Sequence, residues 1–231
     1  MEQQGLLQRG HNVKLDMAAL AVTEVLSRNG VKHGFFGGYA VSVFGGERLT
    51  QDVDVIVGED AQAARQQLLA GNGNFYMTAT KKLKFRLEGQ DIDIEVELLR
   101  GGKDQPMKLP DINSAPIILL NPHEVGHDRV NHQMPLLHPG VLVLTKLKRW
   151  MHISNSTRPA SIARAVNDMQ DIKTILEWLI RHGLKINFDM YPEKNKEELL
   201  PGMKSLLETS DPDIAGLLKD ALFPDDFAAI A

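Results

Sequence analysis

Cysteine is absent from this chain, and so are long apolar segments and an excess of charge of one sign. Without cysteine the protein can form neither disulfide bonds nor thiolate zinc sites, and it has no cysteine nucleophile. No apolar run approaches the ~20 residues that span a bilayer. The polar N-terminal segment, residues 1–16, lacks the apolar core of a secretory signal. We therefore expect a cytoplasmic protein that does not contact membranes.

The charges are close to balance, with 26 Lys and Arg residues against 30 Asp and Glu residues and a net charge of −4. Such a balance does not indicate a protein that coats nucleic acid, although a local basic groove for nucleic acid is compatible with it. The 231 residues suffice for one large domain or two small ones, each with a core. Function must therefore be read from local motifs.

Two carboxylates, Asp52 and Asp54, dominate the most informative segment, FFGGYAVSVFGGERLTQDVDVIV at residues 35–57. Side chains alternate along a strand, so both carboxylates lie on one face and Val53 and Val55 on the other. Two negative charges so close together repel each other unless a cation lies between them, and their oxygen atoms suit a divalent metal. The alternative is a solvated edge strand without a metal.

A glycine pair, Gly37-Gly38, precedes this strand at a turn from an apolar strand into a short helix. Because glycine has no side chain, a phosphate can approach the backbone there, at the N-terminus of the helix. An apolar residue, two glycines, a spacer and then Asp-x-Asp with apolar flanks resemble the signature of the nucleotidyltransferase superfamily, which has the DNA polymerase β-like fold. The matching positions are Phe36, Gly37, Gly38, Asp52 and Asp54.

This resemblance implies an enzyme that moves a nucleoside monophosphate from a nucleoside triphosphate, ATP before the others, to an acceptor hydroxyl. It also implies Mg²⁺ or Mn²⁺ as the cofactor, bound by Asp52, Asp54 and a third carboxylate. The implied nucleotide contacts are the glycine pair, the start of the next helix and nearby polar side chains: Gly37, Gly38, Tyr39, Arg48, Thr50 and Lys146. Thr50 would orient the Asp-x-Asp loop, while Arg48 and Lys146 would offset phosphate charge.

The resemblance places the third carboxylate on a neighbouring strand, and the segment DIDIEVELL at residues 91–99 fits this requirement. Its alternation places four acids on one face: Asp91, Asp93, Glu95 and Glu97. We favour Asp93, because its Ile-Asp-Ile surroundings are similar to the third motif of the family, and Glu95 is the next candidate. Asp93 would complete the metal site on the acceptor side and help to deprotonate the incoming hydroxyl. The alternative for the other acids is a solvated strand face.

The order of elements predicts an α/β (α+β) fold. We expect a small mixed sheet flanked by helices with nucleotidyltransferase topology at residues 1–135, a helical domain at 136–231, and the active site in the groove between them. The helical half is also similar to small members of the family, such as antibiotic adenylyltransferases and the nucleotidyltransferases of toxin–antitoxin systems. It has a lysine-bearing helix, VLVLTKLKRW, and then an acidic pair, Asp168 and Asp171.

Residues 123–127 read His-Glu-Val-Gly-His, which formally matches the HExxH pattern of zinc peptidases. Pro122 and Gly126 disfavour the helix that such a site requires. The extended pattern also fails, because Gln133 occupies the position where a third histidine is needed. We therefore do not expect a zinc site.

Two further functions are compatible with these motifs. The first is a nucleotide-binding protein of the same fold without turnover, for which loss of one of the three acids would be typical, yet all three are present. The second is a metal-dependent glycosyltransferase, which also uses Asp-x-Asp but has a longer nucleotide-binding domain before it than this chain has before Asp52. No motif selects the acceptor, which stays open between a small molecule, an RNA end and a protein side chain.

Overall fold

The computed structural model describes residues 2–87, 93–120, 133–209 and 212–231. Within these residues the chain forms a mixed sheet with helices packed against it. The strands are β1 (His33–Phe36), β2 (Asp52–Val57), β3 (Phe75–Met77), β4 (Leu83–Arg86), β5 (Asp93–Arg100), β6 (Ile117–Leu120) and β7 (Met134–Leu137). The helices are α1 (Glu2–Arg28), α2 (Gly37–Val43), α3 (Ala61–Gly71), α4 (Pro139–Ile153), α5 (Pro159–Arg181), α6 (Lys196–Thr209), α7 (Pro212–Ala221) and α8 (Pro224–Ala228).

The sheet has the strand order β3-β4-β5-β2-β1-β7-β6, so β2 lies at its centre. β2 runs antiparallel to β1 and parallel to β5. Alternation along β2 buries Val53 and Val55 fully and leaves Asp52 and Asp54 partly exposed. Helix α1 packs against β2 and β5, and α3 packs against β5. The helices thus cover the apolar face of the central strands, and the carboxylates lie on the other face.

The helical half begins directly after β7 with α4, which packs against α5. Pro139 occupies the first turn of α4, where its fixed φ suits a helix start, and the backbone N–H of Gly140 donates to His138 Nδ1 at 3.1 Å. Helix α2 also packs against α5, with the rings of Phe44 and Trp178 4.9 Å apart. The helix that follows the glycine pair therefore contacts the helical half directly.

The mixed sheet and the helices packed against it confirm the predicted fold class. Helix α1 begins at Glu2, within the polar N-terminal segment. Strand β7 pairs in parallel with β1 and ends at Leu137, and the division of the chain into domains after residue 135 stays a prediction. This strand escapes sequence reasoning because it is short and contains Pro135, a residue that is disfavoured inside a sheet.

Two other expectations concern zinc and membranes. The HExxH segment at residues 123–127 lies outside the described residues, so the expectation about zinc stays a prediction. None of the described helices combines the length and the apolar character that crossing a membrane requires.

Candidate active site

A row of carboxylates crosses β2 and β5 on the sheet face away from α1 and α3. The parallel pairing sets Asp52 opposite Glu95 and Asp54 opposite Glu97. Residues in register on neighbouring strands point to the same face, so these four carboxylates lie side by side. The structure thus brings Asp52 and Asp54 together with two acids of the next strand.

The carboxylate of Asp54 lies in surroundings that disfavour its negative charge. Burial raises the pKa of Asp54 to about 7, and the charges of Asp52 and Glu97 add to the rise. Lys146 and Arg149 act in the opposite direction but do not cancel it. The nearby cations thus leave the negative charge of Asp54 only partly compensated, as expected for a cation site and not for a solvated strand.

The glycine pair packs directly against the two carboxylates and their supporting threonine. Gly37 has a φ of +67°, and a Cβ atom there would lie 1.9 Å from Asp54 Oδ2. A Cβ atom on Gly38 would lie 2.4 Å from Thr50 Oγ1, which itself donates a hydrogen bond to Asp52 Oδ1 at 2.9 Å. Both glycines are therefore required by the close approach of the turn to the Asp-x-Asp strand, in addition to any approach of a phosphate.

The predicted contact of Tyr39 with a nucleotide does not fit the position of its side chain. The ring is fully buried, with its centroid 5.4 Å from that of Phe35, and the hydroxyl donates a hydrogen bond to Asp16 Oδ1 at 3.0 Å. Only the backbone of Tyr39 is left to face a ligand. Its side chain belongs to the core and anchors α2 to α1.

Asp93, the favoured third carboxylate, lies apart from the other predicted metal ligands. The register sets Glu95, and not Asp93, opposite Asp52. Arg86 on β4 donates to both carboxylate oxygens of Asp93, at 2.7 and 3.0 Å, and the Tyr76 hydroxyl donates to it at 2.5 Å. Arg86 and then Tyr76 lower the pKa of Asp93 to about 2. This placement gives no support to a metal-binding role, because the charge of Asp93 already has partners.

Glu95, the second candidate, is also paired, since Lys82 Nζ lies 2.8 Å from its Oε2 atom. Among the described residues no cation forms a salt bridge with Glu97, which is exposed and lines a cavity together with Asp54. The geometry therefore favours Glu97 as the acid that faces a ligand. An alternating sequence pattern cannot make this distinction, because it shows neither the register with β2 nor the cations of β4.

Arg48 and Lys146, predicted to offset phosphate charge, are joined by Asp171 of α5. Arg48 donates to both oxygens of Asp171, at 3.1 and 3.0 Å, and Lys146 Nζ donates to one of them at 2.7 Å. Beside them Arg149 donates to both oxygens of Asp168, one of which lies 3.8 Å from Lys146 Nζ. Lys146, Asp168 and Asp171 are almost completely buried.

This charge network ties the loop before β2 to the helical half of the protein. Its guanidinium and ammonium groups outnumber its carboxylates, so it presents positive charge beside Asp54. Sequence reasoning recognised the acidic pair but gave it no role. The sequence feature that could have indicated this network is the three-residue spacing of Asp168 and Asp171, which places both carboxylates on one face of a helix.

A cavity of about 490 Å³ lies between the carboxylate row and α4, within the usual range for small-molecule sites. The sheet contributes Asp54 and Glu97 to its wall, the glycine turn contributes Gly37, and α4 contributes Lys146 and Arg149. The loop between β5 and β6 adds residues 106–109, α4 also adds Lys148, and the segment before α6 adds Lys194. Acidic and basic side chains thus border one space of the size of a small ligand.

The fold resembles solved structures of nucleotidyltransferases. No family model matches the sequence, and no curated protein matches it. A nucleotidyltransferase-like antigenic protein from Paracoccidioides brasiliensis has a similar structure, with a TM-score of 0.66, 18% identity, and coverage of 90% of this chain and 93% of that chain. The antibiotic-resistance factor ANT(2'')-Ia matches with a TM-score of 0.39, 13% identity and coverage of 74% and 90%. CdnC from E. coli MS115-1, with ATP, matches with a TM-score of 0.34, 11% identity and coverage of 98% and 94%.

The first of these structures covers nearly the whole of both chains, so the likeness extends over the sheet and the helical half together. It agrees with the glycine pair and the Asp-x-Asp strand that the sequence contains. The chain therefore shares its fold with that nucleotidyltransferase-like protein.

Proposed function

We propose that this protein is a metal-dependent nucleotidyltransferase that moves a nucleoside monophosphate from a nucleoside triphosphate, ATP before the others, to an acceptor hydroxyl. The cavity is the observation that carries this proposal. Around one space lie the carboxylates of Asp54 and Glu97, which form no salt bridge among the described residues, the glycine turn and the cationic side of α4. A nucleotide that arrives with Mg²⁺ offers metal charge to the carboxylates and phosphate charge to the cations.

The carboxylates of Asp52, Asp54 and Glu97 would hold Mg²⁺ or Mn²⁺. Within the described part of the chain, no group of three or more histidine or carboxylate side chains is arranged to hold a metal ion by itself. Mg²⁺ usually takes one or two protein carboxylates and completes its shell with water and substrate phosphates, so the donor set fits a metal that binds together with the nucleotide. When bound, the metal would neutralise the charge on the attacking and leaving oxygens.

In the proposed reaction the acceptor oxygen forms a bond to the α-phosphorus while the bond to the leaving pyrophosphate breaks. Glu97 is the proposed acceptor of the hydroxyl proton, because it is exposed beside Asp54 in the cavity. The sequence-based assignment of this role to Asp93 requires its ion pair with Arg86 to open first.

Arg48 and Lys146 act in this proposal as fixed positive charges. Asp171 holds both, so neither side chain has to be ordered when a nucleotide enters. Thr50 holds Asp52 through its hydroxyl and thereby fixes the orientation of that carboxylate. Preorganised charges of this kind contribute to catalysis because they do not reorient during the reaction.

A nucleotide-binding protein without turnover is the second candidate. One observation favours it: Asp93 and Glu95 are both engaged in salt bridges, so catalysis would depend on Glu97 as the third acid. It predicts binding of nucleotide without release of pyrophosphate. A glycosyltransferase gains no support from a fold that resembles nucleotidyltransferases.

Isothermal titration with ATP, GTP, CTP and UTP, each with Mg²⁺ and with EDTA, tests the proposal. We expect binding that requires Mg²⁺ and that is lost in the Asp52→Asn/Asp54→Asn double variant. The matched control is Asp104→Asn/Asp220→Asn, which makes the same change in net charge at exposed positions outside the cavity lining. Equal binding with EDTA, or equal binding in both double variants, would contradict the proposal.

Release of pyrophosphate then separates the two candidate functions. The protein is incubated with ATP and Mg²⁺ in the presence of a small-molecule extract, an RNA fraction or a protein fraction. Release that depends on one fraction and is lost in the Asp52→Asn/Asp54→Asn variant supports an enzyme and names the class of its acceptor. Binding without release in any fraction supports the binding protein.

A further inference from the structure

A second set of charges lies on the cavity wall away from Asp54. The cations that act on Asp54 are Lys146 and Arg149, whereas the cations that act on Lys148 are Lys194 and Lys108. All five of these cations line the same cavity. Lys146 and Arg149 bond to Asp171 and Asp168 of α5, whereas Lys148 bonds to the loop between β5 and β6. We call the part of the cavity lined by Asp54 and Glu97 the carboxylate end, and the part lined by Lys108, Lys148 and Lys194 the lysine end.

Lys148 is held firmly at the lysine end. Its Nζ atom donates to the backbone oxygens of Met107 and Lys108, at 2.5 and 3.0 Å, and to the Tyr191 hydroxyl at 2.8 Å. The Tyr191 hydroxyl in turn donates to the backbone oxygen of Lys108 at 2.5 Å. These contacts fix the loop between β5 and β6 against α4, and they place the side chain of Lys108 at the cavity wall.

The lysine end has an excess of positive charge. Burial, together with the charges of Lys194 and Lys108, lowers the pKa of Lys148 to about 8, and Glu193 acts in the opposite direction. Lys194 is paired with Glu198, but Glu198 is 45% exposed, and an ion pair so exposed to water compensates little of the lysine charge. Like charges gathered in a partly buried space are relieved by an anion, just as the carboxylates at the other end are relieved by a cation.

We infer that Lys108, Lys148 and Lys194 form an anion-binding subsite, which takes a phosphate group of the ligand at the end of the cavity away from the carboxylates. The three donor positions of Lys148 are occupied by protein atoms, so Lys108 and Lys194 make the direct contacts and Lys148 supplies charge and position. The phosphate belongs either to the triphosphate of the nucleotide or to the acceptor. The inference rests on the proposed function for the identity of the ligand, while the presence of the subsite can be tested independently.

Titration with pyrophosphate and with inorganic phosphate, in EDTA and at low salt, tests the subsite. The test variant is Lys108→Gln/Lys194→Gln, and the matched control is Lys103→Gln/Lys204→Gln, which alters the net charge equally at exposed positions outside the cavity lining. Loss of two partly exposed charge contacts is expected to weaken pyrophosphate binding about tenfold. The control is expected to stay within about twofold of the unmodified protein. Equal affinities in the two variants, or no pyrophosphate binding at millimolar concentration in the unmodified protein, would overturn the inference.

A series of AMP, ADP and ATP with Mg²⁺ identifies the source of the phosphate. If the subsite holds the terminal phosphates of the nucleotide, the affinity loss in Lys108→Gln/Lys194→Gln increases from AMP to ATP. If all three nucleotides bind that variant as they bind the control, while pyrophosphate binds it more weakly, the phosphate belongs to the acceptor. Both results support the subsite.

The assay in EDTA also separates this inference from the proposed function. Pyrophosphate binding there requires neither a metal nor turnover, and the Asp52→Asn/Asp54→Asn variant should bind pyrophosphate at least as well as the unmodified protein. If Mg²⁺-dependent nucleotide binding fails but this result holds, the subsite stands and the nucleotidyltransferase proposal falls. If nucleotide binding holds but the lysine variant matches its control, only the subsite is wrong.

Discussion

Asp93 and Asp54 lie on the same face of one sheet, yet the pKa of Asp93 is lowered to about 2 and that of Asp54 is raised to about 7. Asp93 accepts hydrogen bonds from Arg86 and Tyr76. Asp54 is desolvated and lies beside other carboxylates, with no salt bridge among the described residues. An acid of the first kind contributes to the fold, whereas an acid of the second kind needs a ligand to neutralise it.

The division between the two kinds of acid runs through β5. Glu95, like Asp93, forms a salt bridge with a cation from β4 or the turn before it, whereas Glu97 forms none within the part of the chain that the structure describes. β4 lies beside β5 on the side away from β2, and its last residue, Arg86, pairs with Asp93 at the beginning of β5. The cations of β4 therefore reach the beginning of β5, whereas the later part of β5 lines the cavity.

The largest expected effect is on transfer by an Asp54→Asn variant. Removing the carboxylate that faces Asp52 and Glu97 should lower kcat/KM about 1,000-fold, because it removes the attraction for the metal. The kcat/KM of the Asp93→Asn variant should stay within about threefold of that of the unmodified protein, because the Asp93 carboxylate forms an exposed ion pair. Pyrophosphate release from ATP with the identified acceptor measures both variants. A larger loss for Asp93→Asn than for Asp54→Asn would reverse the assignment.

Neighbouring glutamates on β5 provide a finer contrast. Glu97→Gln should lower kcat about 100-fold if Glu97 accepts the hydroxyl proton, with a smaller change in KM. The kcat of the Glu95→Gln variant should stay within about threefold of that of the unmodified protein, because the change breaks only a surface ion pair with Lys82. Steady-state kinetics over a range of ATP concentrations distinguish the two. Equal losses in both variants would mean that the register does not divide the acids as described.

Asp171→Asn should have the largest effect on folding among these single changes. It leaves the buried Lys146 ammonium without its closest carboxylate, and breaking a buried pair costs about 3 kcal/mol in the free energy of unfolding. Asp93→Asn should cost much less, because Arg86 is largely exposed. Urea unfolding measures both. A similar and small decrease in the free energy of unfolding in the two variants would show that the buried Lys146 does not depend on Asp171.

The smallest expected effect concerns pH and the metal-free protein. The folded pKa of Asp54, about 7, lies above its ordinary value of 3.8, so the folded protein retains a proton that the unfolded chain releases in this interval. Asp54 therefore destabilises the fold progressively as the pH rises from about 4 to about 7. In EDTA, Asp54→Asn should raise the Tm by several degrees at about pH 8 and by little at about pH 4. An equal rise at both pH values would contradict the raised pKa.

The central elements could be predicted from sequence because they depend on local periodicity. Alternation alone places Asp52 and Asp54 on one face, and a glycine pair marks the turn before them. The same alternation places Asp93, Glu95 and Glu97 together and cannot rank them. Their ranking depends on the register with β2 and on the cations supplied from the β4 side, which are tertiary facts.

Contacts between distant parts of the chain could not be predicted either. Arg48 and Asp171 lie 123 positions apart, so no local pattern connects them. Tyr39 follows the glycine pair directly, and only its hydrogen bond to Asp16 of α1 shows that the side chain belongs to the core. The prediction for the glycine pair was incomplete for the same reason. The close approach of the two glycines to Asp54 and Thr50 appears only after the two segments have folded together.

Binding of Mn²⁺ in the presence of a non-hydrolysable ATP analogue, followed by electron paramagnetic resonance, tests most directly which acids hold the metal. The unmodified protein and the Asp93→Asn variant should bind Mn²⁺ with the same affinity, Glu97→Gln should bind it more weakly, and Asp54→Asn should not bind it. Loss of Mn²⁺ in Asp93→Asn with full binding in Glu97→Gln would contradict the division of the acids on β5. Absence of Mn²⁺ binding in the unmodified protein would contradict the metal site itself.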